Sequence, residues 1–413
     1  MVKVSVIIPV FHPGEGLAKC IQALRDQTLQ EIELIFVDDR GSDKDAELIR
    51  KASGDDSRII FIQNEENLGP GSSRNRGIEA ASGEYLAFAD PDDYPAEDFL
   101  ALLYAKALES GADIVKGVCA LIDVDGKRIP QKRKHTLNDR IKCDMAMGKP
   151  LYSVFSYEYT SAIYRHELLI RSGARYGTSR NGEDTTFLLR VCLAAESIAF
   201  EERAVYCYSE REGSLDRVFT AQRLKEGRLA YREMAESLLP QRAKDLWMYD
   251  YMAQQVLHWL KLLVKTEQGE SKEAICETRN AFREELLSSP LAFSLAERNA
   301  SVYAFLQDNV DLVPDPYGSQ WGNVPYSEYE GIAQQWVKYL SEHPESVQRA
   351  EWDIRHVFEN AIMYQGREST AEKRRRLKEL RELARQLPDR TVLTKEYLLM
   401  RLFVDYGIIL FDC

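Results

Sequence analysis

The stretch Gly83-Glu-Tyr-Leu-Ala-Phe-Ala-Asp90-Pro-Asp92-Asp93 joins a short apolar run to three carboxylates. Residues 85–89 are apolar enough to be buried in a parallel sheet. Three acidic groups within four positions cannot all be buried without a partner. A divalent cation is one such partner, because Mg²⁺ and Mn²⁺ are held by carboxylates together with substrate phosphates. An exposed acidic turn in which Pro91 ends the strand explains this stretch alone equally well.

Alternating strands and helices precede this acidic stretch. Strands are predicted at residues 4–10, 32–37 and 58–63, and helices at 17–27, 43–53 and 72–82, with Asp43 as the expected cap of the second helix. This alternation predicts right-handed βαβ units in a parallel sheet, in which ligands bind at the carboxyl ends of the strands. One strand ends at Asp38 and Asp39 and another ends at Asp90, so these carboxylates are expected to meet at one edge.

The second half of the chain changes character. Residues 97–110 and 183–195 are predicted helices, and residues 113–122, 197–200 and 204–208 are predicted strands. Beyond about residue 218 nearly all periodic segments are amphipathic helices. We therefore predict a catalytic domain over residues 1–218 and a mainly helical domain over residues 219–413, which agrees with a length of 413 residues.

Composition excludes some classes of function. The net charge of -12 argues against a general nucleic-acid binder. The seven cysteines are scattered without close metal-ligand spacing, which is typical of reduced thiols in a cytosolic protein. The sequence contains neither a signal peptide nor an apolar run of about 20 residues. A cytoplasmic location is expected, with any membrane contact peripheral, at the inner face of the plasma membrane.

Short motifs of the N-terminal half, in their order and spacing, resemble the inverting family 2 glycosyltransferases over residues 1–218. They are Val6-Ile-Ile-Pro-Val-Phe11, Gln27-Thr28, Val37-Asp-Asp-Arg-Gly-Ser-Asp43, Asn67-Leu-Gly69, Ser73-Arg-Asn-Arg-Gly-Ile78, Gly83-Glu-Tyr85, Asp90-Pro-Asp-Asp93 and Gly182-Glu-Asp-Thr-Thr-Phe187. The resemblance implies an α/β protein with the GT-A fold, a Rossmann-like and mostly parallel sheet. It does not extend to the helical half.

The resemblance also implies a role for each residue of a nucleotide-sugar site. The backbone of Pro9, Val10 and Phe11 would lie against the base, and Asp39 would accept a hydrogen bond from the uracil N3–H. Asn67 and Arg74 would also line the nucleotide site. Asp90 would contact the ribose, the sugar or the metal. Asp92 would bind Mn²⁺ or Mg²⁺, and Asp93 would either coordinate directly or cap the following turn. Asp38 and Asp39 could instead cap the next helix. Arg74 could instead be a charge on the surface of its helix.

Asp184 is the candidate general base, and Glu183 would orient hydroxyls of the acceptor or the sugar. An inverting transfer requires a carboxylate that deprotonates the attacking hydroxyl. Acidic residues in the first turn of a helix are also ordinary, because the helix dipole favours them there. Arg211 and Ser214 lie in a stretch that resembles a loop which closes over the diphosphate in these enzymes. The alternative is an ordinary polar turn after a strand.

These residues together predict a metal-dependent transfer of a sugar from a UDP-sugar to a hydroxyl of a glycan or lipid-linked oligosaccharide acceptor, in cell-surface polysaccharide synthesis. Two rivals remain. A sugar nucleotidyltransferase should carry a Gly-rich loop with a basic residue directly after the first strand, and residues 11–16 contain glycines, but the first Lys or Arg after the strand is Lys19. A catalytically inactive subunit that binds UDP or glycans should have a damaged site. The helical half is assigned to acceptor binding, homo-oligomer formation or membrane association.

Overall fold

The structure is a computed structural model that describes most of the N-terminal half and parts of the rest. The described residues are 1–122, 128, 137–146, 148–154, 158–209, 220–238, 248, 251–252, 255–256, 259, 271–288, 326–344, 347, 350, 354, 357–358 and 370–387.

A single sheet organises the N-terminal half. Its strands are β1 (Val4–Val10), β2 (Ile32–Asp38), β3 (Ile59–Gln63), β4 (Tyr85–Phe88), β5 (Tyr94–Pro95), β6 (Ile114–Ile122), β7 (Ala162–Arg165) and β8 (Ile198–Ser209). They lie in the order β3-β2-β1-β4-β7-β6-β8-β5. Strands β1 and β2 are buried along their whole length, because their apolar side chains are covered on both faces.

The predicted parallel half of the sheet is confirmed. Strand β1 pairs in parallel with β2 and β4, and β2 pairs in parallel with β3. Strand β7 then runs antiparallel between β4 and β6, and β6 pairs in parallel with β8. The two late strands predicted at residues 197–200 and 204–208 are wrong as separate elements. They form one strand, β8, which stays paired with β6 through a register shift between Lys116 and Val118.

Helices cover the sheet and begin close to their predicted positions. They are α1 (Gly16–Arg25), α2 (Asp43–Asp55), α3 (Pro70–Ala80), α4 (Phe99–Ser110), α5 (Leu137–Ala146), α6 (Leu151–Val154), a 3-10 turn at Tyr159–Ser161, α7 (His166–Ser172), α8 (Glu183–Ala194) and α9 (Ala221–Leu238). The expected cap of α2 is wrong. Ser42 is the N-cap, because its hydroxyl accepts the N–H of Asp45 at 3.2 Å.

The chain divides into two compact units. The first covers residues 1–130 and 136–240, so helix α9, which the prediction placed in the helical domain, belongs to it. In the second, the described helices are α10 (Lys272–Ser288), α11 (Tyr326–Glu342) and α12 (Thr370–Arg385). Trp336 is fully buried in the core that α11 and α12 share with Val347, Ala350, Ile354, Val357 and Phe358. Among the described helices, none has the length and apolarity to cross a membrane.

Candidate active site

Asp39 lies at the carboxyl end of β2 and holds the loop before helix α3. It is 2% exposed, and its N–H donates to the carbonyl of Val10 at 2.8 Å. Its Oδ1 accepts from Asn64 Nδ2 at 2.6 Å and from the N–H of Leu68 at 2.8 Å, and its Oδ2 accepts from the N–H of Gly69 at 2.8 Å. Since a carboxylate offers about four acceptor positions, one remains for a ligand.

The other residues predicted near the base lie in the two chain segments that hydrogen-bond Asp39 or directly precede such residues. Pro9 and Val10 are buried at the end of β1, whereas Phe11 is 48% exposed directly beyond it. Asn67 has a buried Oδ1 without a hydrogen-bond partner in the described part of the chain. An exposed aromatic ring and an unpaired buried acceptor beside a strand end are features that a bound ligand would complete.

Asp38, the neighbour of Asp39, has a local role. Its Oδ1 accepts from the N–H of Gly41 at 3.1 Å, and its Oδ2 accepts from Gln63 Nε2 at 2.7 Å. It therefore fixes the turn after β2 and links β2 to the end of β3.

The acidic stretch after β4 divides into residues with different partners. Both hydrogen bonds of the Asp90 carboxylate go to Oδ1, and its side chain is about a quarter exposed, at 26%. Asp93 is buried; its Oδ1 accepts from the N–H of Ser209 at 2.8 Å, and its Oδ2 has no partner among the described residues. Burial raises the pKa of Asp93 to about 8, with the charges of Asp90 and Asp92 adding to the rise.

Arg74 on helix α3 connects this stretch to helix α8. The residue is 5% exposed. Its Nη2 donates to Asp90 Oδ1 at 2.9 Å and to the Tyr159 hydroxyl at 2.6 Å, and its Nη1 donates to Glu183 Oε1 at 3.0 Å. The rings of Tyr159 and Tyr176 lie 4.9 and 5.1 Å from the guanidinium carbon. Arg74 thus directs its planar fork to protein groups and joins two carboxylates from separate elements.

Tyr159 is a site residue that the sequence did not point to. Its hydroxyl also donates to Asp90 Oδ1 at 2.8 Å. Burial raises the pKa of Tyr159; the charge of Arg74 opposes this rise, and the charges of Asp90 and Asp184 add to it. The two predicted site carboxylates, Asp90 and Asp184, therefore both act electrostatically on one phenol. Its only sequence signal is an aromatic residue just before a predicted strand.

Helix α8 presents Glu183 and Asp184 in its first turn. Gly182 precedes the helix with a φ of 89°, a left-handed conformation that favours glycine. Glu183 is buried against Arg74, and Asp184 Oδ1 accepts from the N–H of Thr185 at 2.7 Å. The Glu183 contact is with the protein interior, so its predicted role toward hydroxyls stays a prediction.

Helix α9 holds the loop that leads into α8. Glu233 Oε1 accepts from the N–H of Thr178 at 2.9 Å and from its hydroxyl at 2.6 Å. The N–H of Arg180 donates to Glu226 Oε2 at 2.8 Å. These bonds fix the loop before Asp184 and explain why α9 belongs with the sheet.

The carboxylate oxygens at the carboxyl ends of the strands, which we call the carboxyl edge of the sheet, fit a hard divalent cation. The Asp90 side chain is about a quarter exposed, and Asp93 has a buried oxygen without a partner in the part of the chain that the structure describes. In the described residues, no group of three or more His, Cys, Asp or Glu side chains is arranged to hold an ion. Mg²⁺ is usually bound by one or two carboxylates with substrate phosphates, which Asp92 and its neighbours can supply. Arg211 and Ser214, the predicted phosphate ligands, lie outside the described residues.

Replacing Gly16 by alanine should disturb Asp92. A Cβ on Gly16, the first residue of α1, would lie 2.7 Å from the Asp92 Cα, and backbone cannot rotate away as a side chain can. We expect the free energy of unfolding to fall by about 1–3 kcal/mol, the usual cost of overpacking. Gly54→Ala is the matched control, because nothing lies within 4 Å of that Cβ. Denaturant unfolding measures both, and equal stability of the two variants would contradict the close packing.

Glu183 should make stability depend on pH. Burial and the charge of Asp184 raise its pKa from 4.5 to about 7, although Arg74 lowers it. The folded state therefore holds a proton that the unfolded state releases, so this contribution is complete below about pH 4.5 and is lost as pH rises to about 7. Relative to Glu183→Gln, the free energy of unfolding of wild type should fall by up to about 1.4 kcal/mol per pH unit in this window. Parallel pH profiles for the two proteins would contradict the raised pKa.

Comparison with known proteins agrees with this geometry. The family model described as glycosyl transferase family 2 matches residues 5–173. Residues 5–173 are thus similar to a family 2 glycosyltransferase domain. This domain contains Asp39, Arg74 and the Asp90–Asp93 stretch, and the resemblance in family and fold is confirmed.

Similar proteins include glycosyltransferases. The chain is 30% identical over 225 residues to glycosyltransferase GlyA of Streptococcus pneumoniae, and this match covers 53% of the chain and 32% of GlyA. It is 26% identical over 210 residues to a poly(ribitol-phosphate) beta-glucosyltransferase of Bacillus spizizenii, covering 50% of the chain and 32% of that protein. The chain thus spans about a third of the length of both.

A solved structure shares the fold. S. aureus TarS 1-349, crystallised with UDP-GlcNAc, superposes with a TM-score of 0.56 at 21% identity. The match covers 75% of the chain and 90% of the TarS fragment.

Proposed function

We propose that this protein transfers a sugar from a UDP-sugar to a hydroxyl of a glycan or lipid-linked oligosaccharide, with inversion and with Mn²⁺ or Mg²⁺. The observation that carries this proposal is the buried network in which Arg74 bonds both Asp90 and Glu183. It fixes the acidic stretch after β4 against the start of helix α8. In this proposal the network holds the candidate donor site beside the candidate base, Asp184, and the influence of both Asp90 and Asp184 on Tyr159 supports it.

The donor would bind at the carboxyl edge of the sheet. We infer that Asp39 uses its remaining acceptor position for the uracil N3–H, beside Phe11 and Asn67. The metal would be held by Asp92, with Asp90 or Asp93 in support, and would neutralise charge on the diphosphate. The UDP-GlcNAc bound to TarS supports a UDP-sugar as donor.

Asp184 would act as the general base. It removes the proton of the acceptor hydroxyl as that oxygen forms a bond to the anomeric carbon, and the bond from that carbon to the diphosphate breaks. UDP leaves with the bonding electron pair from the face opposite the attack. Asp184 lies in the first turn of α8, where the positive end of the helix dipole favours a carboxylate.

We assign Arg74 to positioning within this site and not to the nucleotide. Both of its terminal nitrogens donate to protein oxygens, and these bonds join Asp90 to Glu183. Glu183 is its partner in this role. Arg211 and Ser214 remain our candidates for contacts to the diphosphate.

The acceptor class that we propose is suggested by the name of a similar protein. The name of the Bacillus spizizenii relative supports a phosphate-bearing cell-surface polymer or a related glycan. We place the reaction in the cytoplasm, with peripheral contact at the inner face of the membrane. A homo-oligomer remains a proposal for the helical half.

A panel of UDP-sugars with Mn²⁺ tests this function. We expect slow metal-dependent release of UDP from one donor by wild type and none by Asp92→Ala. Metal-dependent binding of UDP without turnover of any donor would favour an inactive binding subunit. Release of pyrophosphate from a nucleoside triphosphate and a sugar phosphate would favour a nucleotidyltransferase.

A further inference from the structure

Lys116 is a buried cation that the proposed reaction does not use. It lies within strand β6 and is 0% exposed. Burial lowers the pKa of Lys116, and the charge of Glu158 opposes that shift. An ammonium group removed from water is costly unless it is paired and hydrogen-bonded. Its partners should therefore indicate what it stabilises.

The partners of Lys116 lie at the turn that carries Tyr159. Its Nζ donates to Ser161 Oγ at 2.7 Å, to Glu158 Oε2 at 3.2 Å and to the Glu158 carbonyl at 3.4 Å. Ser161 Oγ in turn donates to the Glu158 carbonyl at 3.0 Å. The ammonium thus contacts residues on both sides of Tyr159, one at each end of the turn.

This turn has an unfavourable backbone conformation. Glu158 has a φ of 61° and a ψ of 50°, in the left-handed region, which costs energy for a residue with a Cβ. Such conformations persist when surrounding contacts enforce them. Lys116 bonds both the carbonyl and the carboxylate of Glu158.

The position of Tyr159 matters for the acidic stretch. Its hydroxyl donates to Asp90 Oδ1 at 2.8 Å and accepts from Arg74 Nη2 at 2.6 Å. Its carbonyl accepts from the Tyr164 hydroxyl at 2.9 Å, which anchors it to β7. A turn that relaxed at Glu158 would move the phenol away from Asp90.

We propose that Lys116 is a positioning residue for the donor site, acting through the Glu158–Ser161 turn to hold Tyr159 against Asp90. The proposal rests on the proposed function, since it treats Asp90 as part of the donor site. Lys116 does not touch the substrate in this account. Its effect passes through one hydroxyl group, which makes it separable from a general role in stability.

A double-mutant cycle tests the proposal. We expect Lys116→Met to lower UDP-sugar turnover by about 10- to 100-fold, the range that a displacement of about 1 Å produces. Tyr159→Phe removes only the hydroxyl. In the Tyr159→Phe background, Lys116→Met should lower turnover by less than about threefold, because the group through which it acts is already absent. Fold-changes that multiply independently would overturn the proposal, as would normal turnover by Lys116→Met.

Glu158→Gly supplies a second test. Glycine adopts the left-handed conformation without cost, so the turn should need less support. We expect Glu158→Gly to restore at least about threefold of the turnover lost in Lys116→Met, and no restoration would count against the proposal. If wild type turns over no donor, the proposed function fails instead. Coupling of Lys116→Met with Tyr159→Phe in the free energy of unfolding then decides whether Lys116 acts on Tyr159.

Discussion

Asp184→Asn should lower the rate of sugar transfer by about 10²- to 10⁴-fold, the usual contribution of a general base. The amide keeps the shape of the side chain but cannot accept the proton of the acceptor hydroxyl. UDP binding should persist, because Asp39 and Asp92 are unchanged. Transfer is measured with the donor identified in the panel and an acceptor glycan.

Asp98→Asn is the matched control for Asp184→Asn. Asp98 is an exposed acid at the N-cap of helix α4 and makes no side-chain capping hydrogen bond, whereas Asp184 is half-buried in the first turn of α8. The same change of acid to amide there should leave the transfer rate within about twofold of wild type. A transfer rate in Asp184→Asn equal to that of the control would exclude Asp184 as the base.

Arg74→Met should destabilise the protein by about 3–5 kcal/mol, the range measured when one partner of a buried ion pair is removed. Asp90 and Glu183 would lose the cation between them, and donor turnover should fall with the loss of their positions. Lys106→Met is the control, since it breaks a surface pair with Glu109 and should cost less than about 1 kcal/mol.

The Arg74→Met effect should grow from pH 6 to pH 8, because protonation of Glu183 relieves the unpaired charge at lower pH, and loss of Arg74, which lowers the pKa of Glu183, extends this protonation to higher pH. Arg74→Lys should be intermediate, since lysine keeps the charge but lacks the planar fork. Arg74→Met as stable as Lys106→Met would contradict the buried network.

The parallel part of the fold was predictable because its signals are local. Strands β1 and β2 are continuous apolar runs, and both are buried throughout. Strand β7 has only four residues, and its antiparallel pairing with β4 and β6 depends on packing that no local pattern records. The single strand β8 was read as two because polar residues interrupt its apolar pattern at Glu201-Glu202-Arg203.

The site residues at strand ends were predictable from the sequence. The contacts between residues that lie far apart in the chain were not. Asp39 and Asp90 follow strands, so their common edge follows from the topology. The network of Arg74 could not be predicted, because Asp90 and Glu183 lie 16 and 109 positions away in the chain. Tyr159 and Lys116 were missed for the same reason: neither belongs to a motif, and their roles depend on tertiary contacts.

Titration of UDP into the protein by calorimetry, with Mn²⁺ and with EDTA, tests the central claim most directly. We propose a metal-dependent nucleotide diphosphate site at the carboxyl edge of the sheet. Mn²⁺ should therefore raise the affinity of wild type for UDP by at least about tenfold, and Asp92→Ala should not show this increase in affinity. Equal affinity for UDP in Mn²⁺ and EDTA, or a normal gain in Asp92→Ala, would contradict it.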